Sequence, residues 1–287
     1  MNIQSVLVIG AGTMGRGIAQ WFAQNNTNVE LIDNTYDFAL KSQELIHISW
    51  EKLEQKGKFN SADIEKFKQN LKICKRDEIS KNCDLVIEAI FEDLEIKKEL
   101  FLSLDKSMNE NTIFASNTSS FPISSLCKDL SKSRRTKFLG LHFFNPATIM
   151  KLVEVIPGNW TDQKVCKDIY DWFDSNGKKP ALCIDTPGFI VNRVARNFYG
   201  ESFRIAAKDD PKKYEEIDRV MKSVGGFKMG PFELMDLIGI DINFNVTQSV
   251  WNAYFNEDRF APHPLQKKMV DSGRFGKKTK EGFYKYE

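Results

Sequence analysis

No run of apolar residues in this 287-residue chain approaches the ~18 that a membrane-spanning helix needs. Lys and Arg number 41 against 39 Asp and Glu, so neither sign is in enough excess to hold nucleic acid or an anionic lipid surface. Small molecules are the expected partners. Cysteine is sparse and unpatterned. Cys74, Cys83, Cys127, Cys166 and Cys183 are odd in number and show none of the paired spacing of a zinc site or redox motif. They read as reduced thiols, with no metal among them. The chain enters a strand-like run at Val6-Leu7-Val8-Ile9, leaving no room for a signal or transit peptide, and the expected location is the cytoplasm. Histidine is scarcer still, at 3, and one of the three lies inside the apolar stretch "GLHFFNP" (Gly140–Pro146).

What is present is an ordinary soluble balance of 41% hydrophobic and 28% charged residues, in a chain long enough for a large core and two domains. The first half alternates β-branched runs with helical patterns, which predicts a parallel sheet wound with helices. Strand candidates are Ser5–Ile9, Val29–Ile32, Asp84–Ala89, Thr112–Ala115, Phe138–Phe143 and Leu152–Ile156. Met14, Ile18, Trp21 and Phe22 fall at helical spacing, as do Phe38, Leu45, Ile48 and Leu53, and both stripes are expected in the core. Asp185-Thr186-Pro187-Gly188 is a turn-rich break that places a boundary between residues 1–185 and 186–287. The second part reads as a small all-α domain, nearly strandless until Phe283-Tyr284-Lys285-Tyr286.

Directly after the first strand stands Gly10-Ala11-Gly12-Thr13-Met14-Gly15, a GxGxxG that opens a helix. Its first glycine allows a tight turn, its second lets backbone approach a pyrophosphate, and its third permits close helix–strand packing. Alone the pattern says little, because glycine turns are common. Here a strand precedes it, an amphipathic helix and second strand follow, and Asp33 ends that strand 18 residues past Gly15. A carboxylate there accepts the adenosine ribose hydroxyl and repels a 2′-phosphate, which predicts NAD rather than NADP.

A dinucleotide implies redox chemistry, and hydride transfer from an alcohol needs a base for the hydroxyl proton. His142 ends a candidate strand, where open α/β sheets place ligands. Glu154 lies 12 residues on, in "KLVEVI", and can orient and stabilise the imidazole if the two strands are neighbours. The alternative is a neutral, hydrogen-bonded core histidine paired with a structural carboxylate.

Seven stretches together resemble the L-3-hydroxyacyl-CoA dehydrogenase family, including the short-chain 3-hydroxybutyryl-CoA dehydrogenases of bacteria. They are "VIGAGTMGRGIAQ", "DLVIEAIFEDLEIKKELF", "IFASNTSS", "GLHFFNPATIMKLVEVI", "DTPGFIVNR", "GGFKMGPFELMDLIGID" and "FGKKTKEGFYKY", in family order from Val8 to Tyr286. The resemblance implies a Rossmann-type NAD-binding domain followed by a smaller helical domain that covers the acyl-CoA and supplies a homodimer interface. It implies NAD-dependent interconversion of (S)-3-hydroxyacyl-CoA and 3-oxoacyl-CoA, in fatty-acid β-oxidation or butanoate metabolism. His142 matches the base and Glu154 its partner. Ser119 and Asn192 match residues that hydrogen-bond the substrate's oxygens, with Ser119 also beside the cofactor. Glu92, Lys97 and Lys278 match NAD contacts, and Ser49 and Lys56 match contacts to the CoA nucleotide. On residue type alone, Ser119 reads as a turn hydroxyl, Asn192 as a helix-face amide, and Lys56, Lys97 and Lys278 as solvated surface charge.

Two departures stand out. Arg16 follows the third glycine, where the family carries a small residue, and the Ser119–His142 connection is slightly longer than in some relatives. Two rivals remain: a sugar-acid dehydrogenase of the same fold, whose relatives replace the second phenylalanine of "HFFNP", and a non-catalytic protein on the same scaffold. The intact "HFFNP" and the presence of Ser119, His142, Glu154 and Asn192 argue against both. Phe232, Leu234, Leu237 and Ile238 fit either an interface between copies or the core of the second domain.

Overall fold

The computed structural model describes all residues from Met1 to Glu287, in two compact units, Met1–Thr186 and Pro187–Glu287. The first runs β1 (Ser5–Ile9), α1 (Thr13–Gln24), β2 (Asn28–Ile32), α2 (Tyr36–Gln55), α3 (Ser61–Gln69), β3 (Leu71–Ile73), β4 (Leu85–Glu88), α4 (Leu94–Asp105), β5 (Ile113–Ser116), α5 (Ile123–Cys127), α6 (Lys132–Arg135), β6 (Phe138–Phe143), β7 (Leu152–Pro157), α7 (Gln163–Ser175) and β8 (Lys179–Leu182). The second holds α8 (Val191–Ala206), α9 (Pro211–Ser223), α10 (Pro231–Ile238), α11 (Ile240–Ala253) and α12 (Pro264–Asp271).

The eight strands form one sheet in the order β3-β2-β1-β4-β5-β6-β7-β8. All neighbours are parallel except β6 and β7, so the last two strands run against the rest. Strands β4, β5 and β6 are buried throughout, as continuous apolar runs between helical layers should be. On one face of the sheet Trp21, Phe22, Phe143, Trp172 and Phe173 interlock, with Trp21 and Phe22 4.9 Å apart and edge-to-face. That cluster fixes α1 and α7 against β6.

The Rossmann-type architecture and the strands from β-branched runs appear as expected; β3 and β8 were not anticipated. The α2 expectation is corrected. Phe38, Leu45 and Ile48 are exposed and Leu53 is half-buried, whereas Ala39, Ser42, Ile46 and Trp50 face inward. Two apolar stripes run along this helix. The one carrying Trp50 is buried because its indole packs on Phe67 of α3, with ring centroids 5.8 Å apart.

The second unit is helical, and Phe283–Tyr286 forms no strand. That tail is held by buried carboxylates instead. Asp236 accepts the Phe283 and Tyr284 amides and the Tyr286 hydroxyl, while Asp218 accepts the Phe232 and Glu233 amides and the Tyr284 hydroxyl. Burial raises both aspartates above the usual carboxylate range, against the pull of these hydrogen bonds. Phe232 is buried in this unit's core and Leu234 packs partly against it, but Leu237 and Ile238 are exposed.

Candidate active site

Strands β1, β2, β4, β5 and β6 are parallel, so their carboxyl ends share one edge of the sheet. Backbone bonds stitch this edge together: Gly10 N donates to Ile32 O, Ala89 N to Ile9 O and Asn117 N to Glu88 O, each at 2.8 Å. The glycine loop begins here. Gly10 has φ +102°, and a Cβ on it would stand 2.5 Å from the Ala89 carbonyl oxygen. A Cβ on Gly15 would stand 1.7 Å from Gly10 O, so both positions exclude side chains. Nothing lies within 4 Å of the corresponding point on Gly12.

Helix α1 starts at Thr13 without a side-chain cap, because its cap residue is Gly12. An uncapped helix start above an open glycine fits a pyrophosphate. Thr13 and Met14 form its first turn, and Arg16 N closes back on Gly12 O. Asp33 sits at the same loop. Its Oδ2 accepts Ala11 N at 2.6 Å and its Oδ1 accepts Asn34 N at 2.7 Å. Each carboxylate oxygen can accept a second hydrogen bond, which suits a ribose hydroxyl.

His142 and Glu154 are direct cross-strand partners in the β6–β7 ladder. Facing side chains in such a ladder lie on one side of the sheet, and Nδ1 of His142 stands 2.6 Å from Oε2 of Glu154. The carboxylate is fully buried and the imidazole 7% exposed, with the Phe144 ring 4.5 Å from it. Phe143 N donates to Oδ1 of Asn117 at 2.9 Å, tying this strand to the loop that carries Ser119.

That loop is held by an ionic cluster in which Lys97 and Glu88 are buried and Glu92 lies at the accessible rim. Lys97 Nζ lies 2.5 Å from Glu88 Oε1 and 3.0 Å from Glu92 Oε2. Glu92 Oε1 then accepts the Thr118 hydroxyl at 2.6 Å, the Ser120 hydroxyl at 3.0 Å and the Ser119 amide at 3.1 Å. Burial alone would push the Glu92 carboxyl up, but the Lys97 ammonium and these hydroxyls hold it below the usual range. Deeper burial leaves Glu88 raised despite the same lysine and a 2.5 Å bond from the Ser116 hydroxyl. Lys97 is only 1% exposed, so the surface reading of this residue is wrong.

The remaining expected residues lie elsewhere. Ser49 is half-buried on α2 and accepts from the Gln20 amide at 3.1 Å, and Lys56 is exposed at the end of that helix. In the second unit, Asn192 occupies the first turn of α8, where its carbonyl accepts from buried Arg196. Lys278 pairs with Asp241 at 2.6 Å. Sequence reasoning missed Glu88, Ser116, Asn117 and Thr118. The lone glutamate ending an apolar strand was the available signal for Glu88, since a buried carboxylate requires a partner.

Two family descriptions match almost the whole chain: "3-hydroxyacyl-CoA dehydrogenase, NAD binding domain" over residues 5–186 and "3-hydroxyacyl-CoA dehydrogenase, C-terminal domain" over 188–286. Mitochondrial hydroxyacyl-coenzyme A dehydrogenase of Sus scrofa is 42% identical over 291 residues, covering 99% of this chain and 92% of the relative. 3-Hydroxybutyryl-CoA dehydrogenase of Clostridioides difficile is 39% identical over 279 residues, covering 97% and 98%. The crystal structure of (S)-3-hydroxybutyryl-CoA dehydrogenase PaaH1 from Ralstonia eutropha superposes with a TM-score of 0.91 at 34% identity, covering all of both chains. With a glycine loop and Asp33 that fit NAD, and with family descriptions and relatives that match nearly end to end, the chain belongs to the NAD-dependent 3-hydroxyacyl-CoA dehydrogenase family.

Proposed function

We propose that this chain interconverts (S)-3-hydroxyacyl-CoA and 3-oxoacyl-CoA, with His142 as the general base and acid. The observation that carries this reading is the buried 2.6 Å contact between His142 Nδ1 and Glu154 at the carboxyl edge of the sheet. With Nδ1–H donated to the carboxylate, Nε2 is the nitrogen that takes the 3-hydroxyl proton, and Glu154 stabilises the imidazolium that results. The Gly10–Gly15 loop and Asp33 would hold NAD, whose nicotinamide would accept the hydride that leaves the substrate's C3. Ser119, with its amide fixed by Glu92, and Asn192 bind the substrate's oxygens, which positions the reacting carbon and favours the developing charge.

Glu92, Lys97 and Lys278 belong to the cofactor's surroundings in this reading. For Glu92 and Lys97 the contribution is the ordered 118–120 loop. Ser49 and Lys56 take the nucleotide end of CoA. Exposed Leu237, Ile238 and Ile242 support a homodimer through the second unit. Five buried cysteines outside any disulfide support a reducing, cytoplasmic setting, and the reaction suits fatty-acid β-oxidation or butanoate metabolism. Steady-state oxidation of NADH with acetoacetyl-CoA and with long-chain 3-oxoacyl-CoA esters tests the proposal. Turnover of either class supports it, and no turnover of both by folded enzyme removes it.

A further inference from the structure

Lys178 follows the positive-φ Gly177 in the turn between α7 and β8, and its side chain runs inward rather than to solvent, with 2% exposure. Its ammonium donates to the carbonyl oxygens of Ala147 and, at 2.8 Å, Met150. It also lies 4.7 Å from the Trp21 ring centroid and 5.7 Å from that of Phe143. No carboxylate pairs with it. Burial drives its pKa down to about 8. A buried cation without a counter-charge is costly, and the loop it holds is the β6–β7 connection, between His142 and Glu154.

The same loop touches the dinucleotide half of the fold. Ala147 is buried, and a Cβ on Gly17 of α1 would lie 3.4 Å from Ala147 Cβ. Trp21, which receives the ammonium on its ring, is one turn further along that helix. Two carbonyl acceptors and two aromatic faces thus converge on one ammonium, and through it α1, β6 and the β6–β7 loop meet. Packing alone does not need a charge there, because a methionine would fill the channel at less desolvation cost.

We propose that Lys178 is a positioning residue for the reaction: its ammonium fixes the loop that joins the two halves of the His142–Glu154 pair, and so holds the imidazole against the substrate. The proposal rests on His142 being the base. The variants Lys178→Met and Lys178→Arg of the full chain test it, with kcat, KM for acetoacetyl-CoA and the NADH dissociation constant measured for each. Lys178→Met keeps the apolar volume and loses the donors, so kcat should fall at least ~10-fold while NADH affinity stays within ~2-fold. Lys178→Arg restores charge and donors and should recover most of kcat. A Lys178→Met enzyme with wild-type kcat overturns the proposal. If Lys178→Met does not fold, the arginine variant decides: less than a tenth of wild-type kcat overturns the proposal, and more supports it. Should His142→Gln also retain full kcat, the assignment of the base is at fault. An impaired His142→Gln beside a fully active Lys178→Met refutes Lys178 alone.

Discussion

The Asp33 carboxylate and the Ala11 amide are joined by a 2.6 Å hydrogen bond, so the acidic end of β2 is part of the glycine loop and not merely its neighbour. In the proposed function two roles therefore meet in one side chain: it braces the loop, and its charge disfavours a 2′-phosphate.

NAD(H) should exceed NADP(H) in kcat/KM by at least ~10²-fold, equivalent to about 2.7 kcal/mol. Asp33→Ala should narrow that preference and raise KM for NADH, because the loop loses its brace, with little change in acyl-CoA affinity. Parallel kinetics with both cofactors check this. Equal use of the two by the wild-type enzyme would refute the role given to Asp33.

His142→Gln should lower kcat by ~10²–10⁴-fold, the usual share of general acid–base catalysis, with NADH binding and thermal stability near wild type. A core histidine would behave in the opposite way, losing stability first and leaving the folded fraction active. Glu154→Gln should also impair turnover, since an amide stabilises imidazolium less well and can hold the wrong ring tautomer. Wild-type kcat in both folded variants would end the proposed mechanism.

Lys56→Ala should raise KM for acetoacetyl-CoA and spare a truncated pantetheine thioester. Lys56 is exposed, so a general electrostatic effect would be small for either substrate. The comparison is decisive against a CoA contact when the two substrates respond alike.

All five cysteines are buried and outside any disulfide, and burial pushes the thiols of Cys83 and Cys127 up to about 12. The thiolate is the reactive form, so native enzyme at pH 8 should react with a thiol reagent far more slowly at these positions than denatured enzyme does. Their folded-state values lie above the 9.0 of an ordinary thiol. Deprotonation therefore favours the unfolded chain, and the stability these thiols contribute should decline as pH rises from about 9 towards 12. Labelling followed by mass spectrometry, with denaturant melts across that range, checks both statements. Rapid native labelling of Cys83 or Cys127 would contradict the burial.

The sheet was legible in the sequence wherever a strand is buried on both faces, as in Val6–Ile9 and Leu85–Ile87, because such strands are written as uninterrupted apolar runs. It was illegible at β3, whose three residues alternate buried, exposed, buried, and at β8, which opens on a lysine and a proline. The His142–Glu154 pair could be anticipated because both residues interrupt apolar strands close in sequence. The Lys97 cluster could not be read in full, since its order depends on Glu88 meeting Ser116 across 28 positions. Nor could Lys178, whose acceptors are backbone carbonyls and leave no trace in side-chain chemistry. Helix α2 misled because it carries two apolar faces, and only the partner surface decides which is covered.

The antiparallel turn-back of β7 gives the His142–Glu154 pairing an all-or-nothing character. Glu154 sits between Val153 and Val155, and alternate residues of a strand point to opposite faces. A one-residue slip of β7 against β6 would bring Val153 or Val155 in front of the imidazole and turn the carboxylate away. The register of β7, which its second ladder to β8 holds from the other side, thus delivers the carboxylate as much as the presence of a glutamate in the strand does.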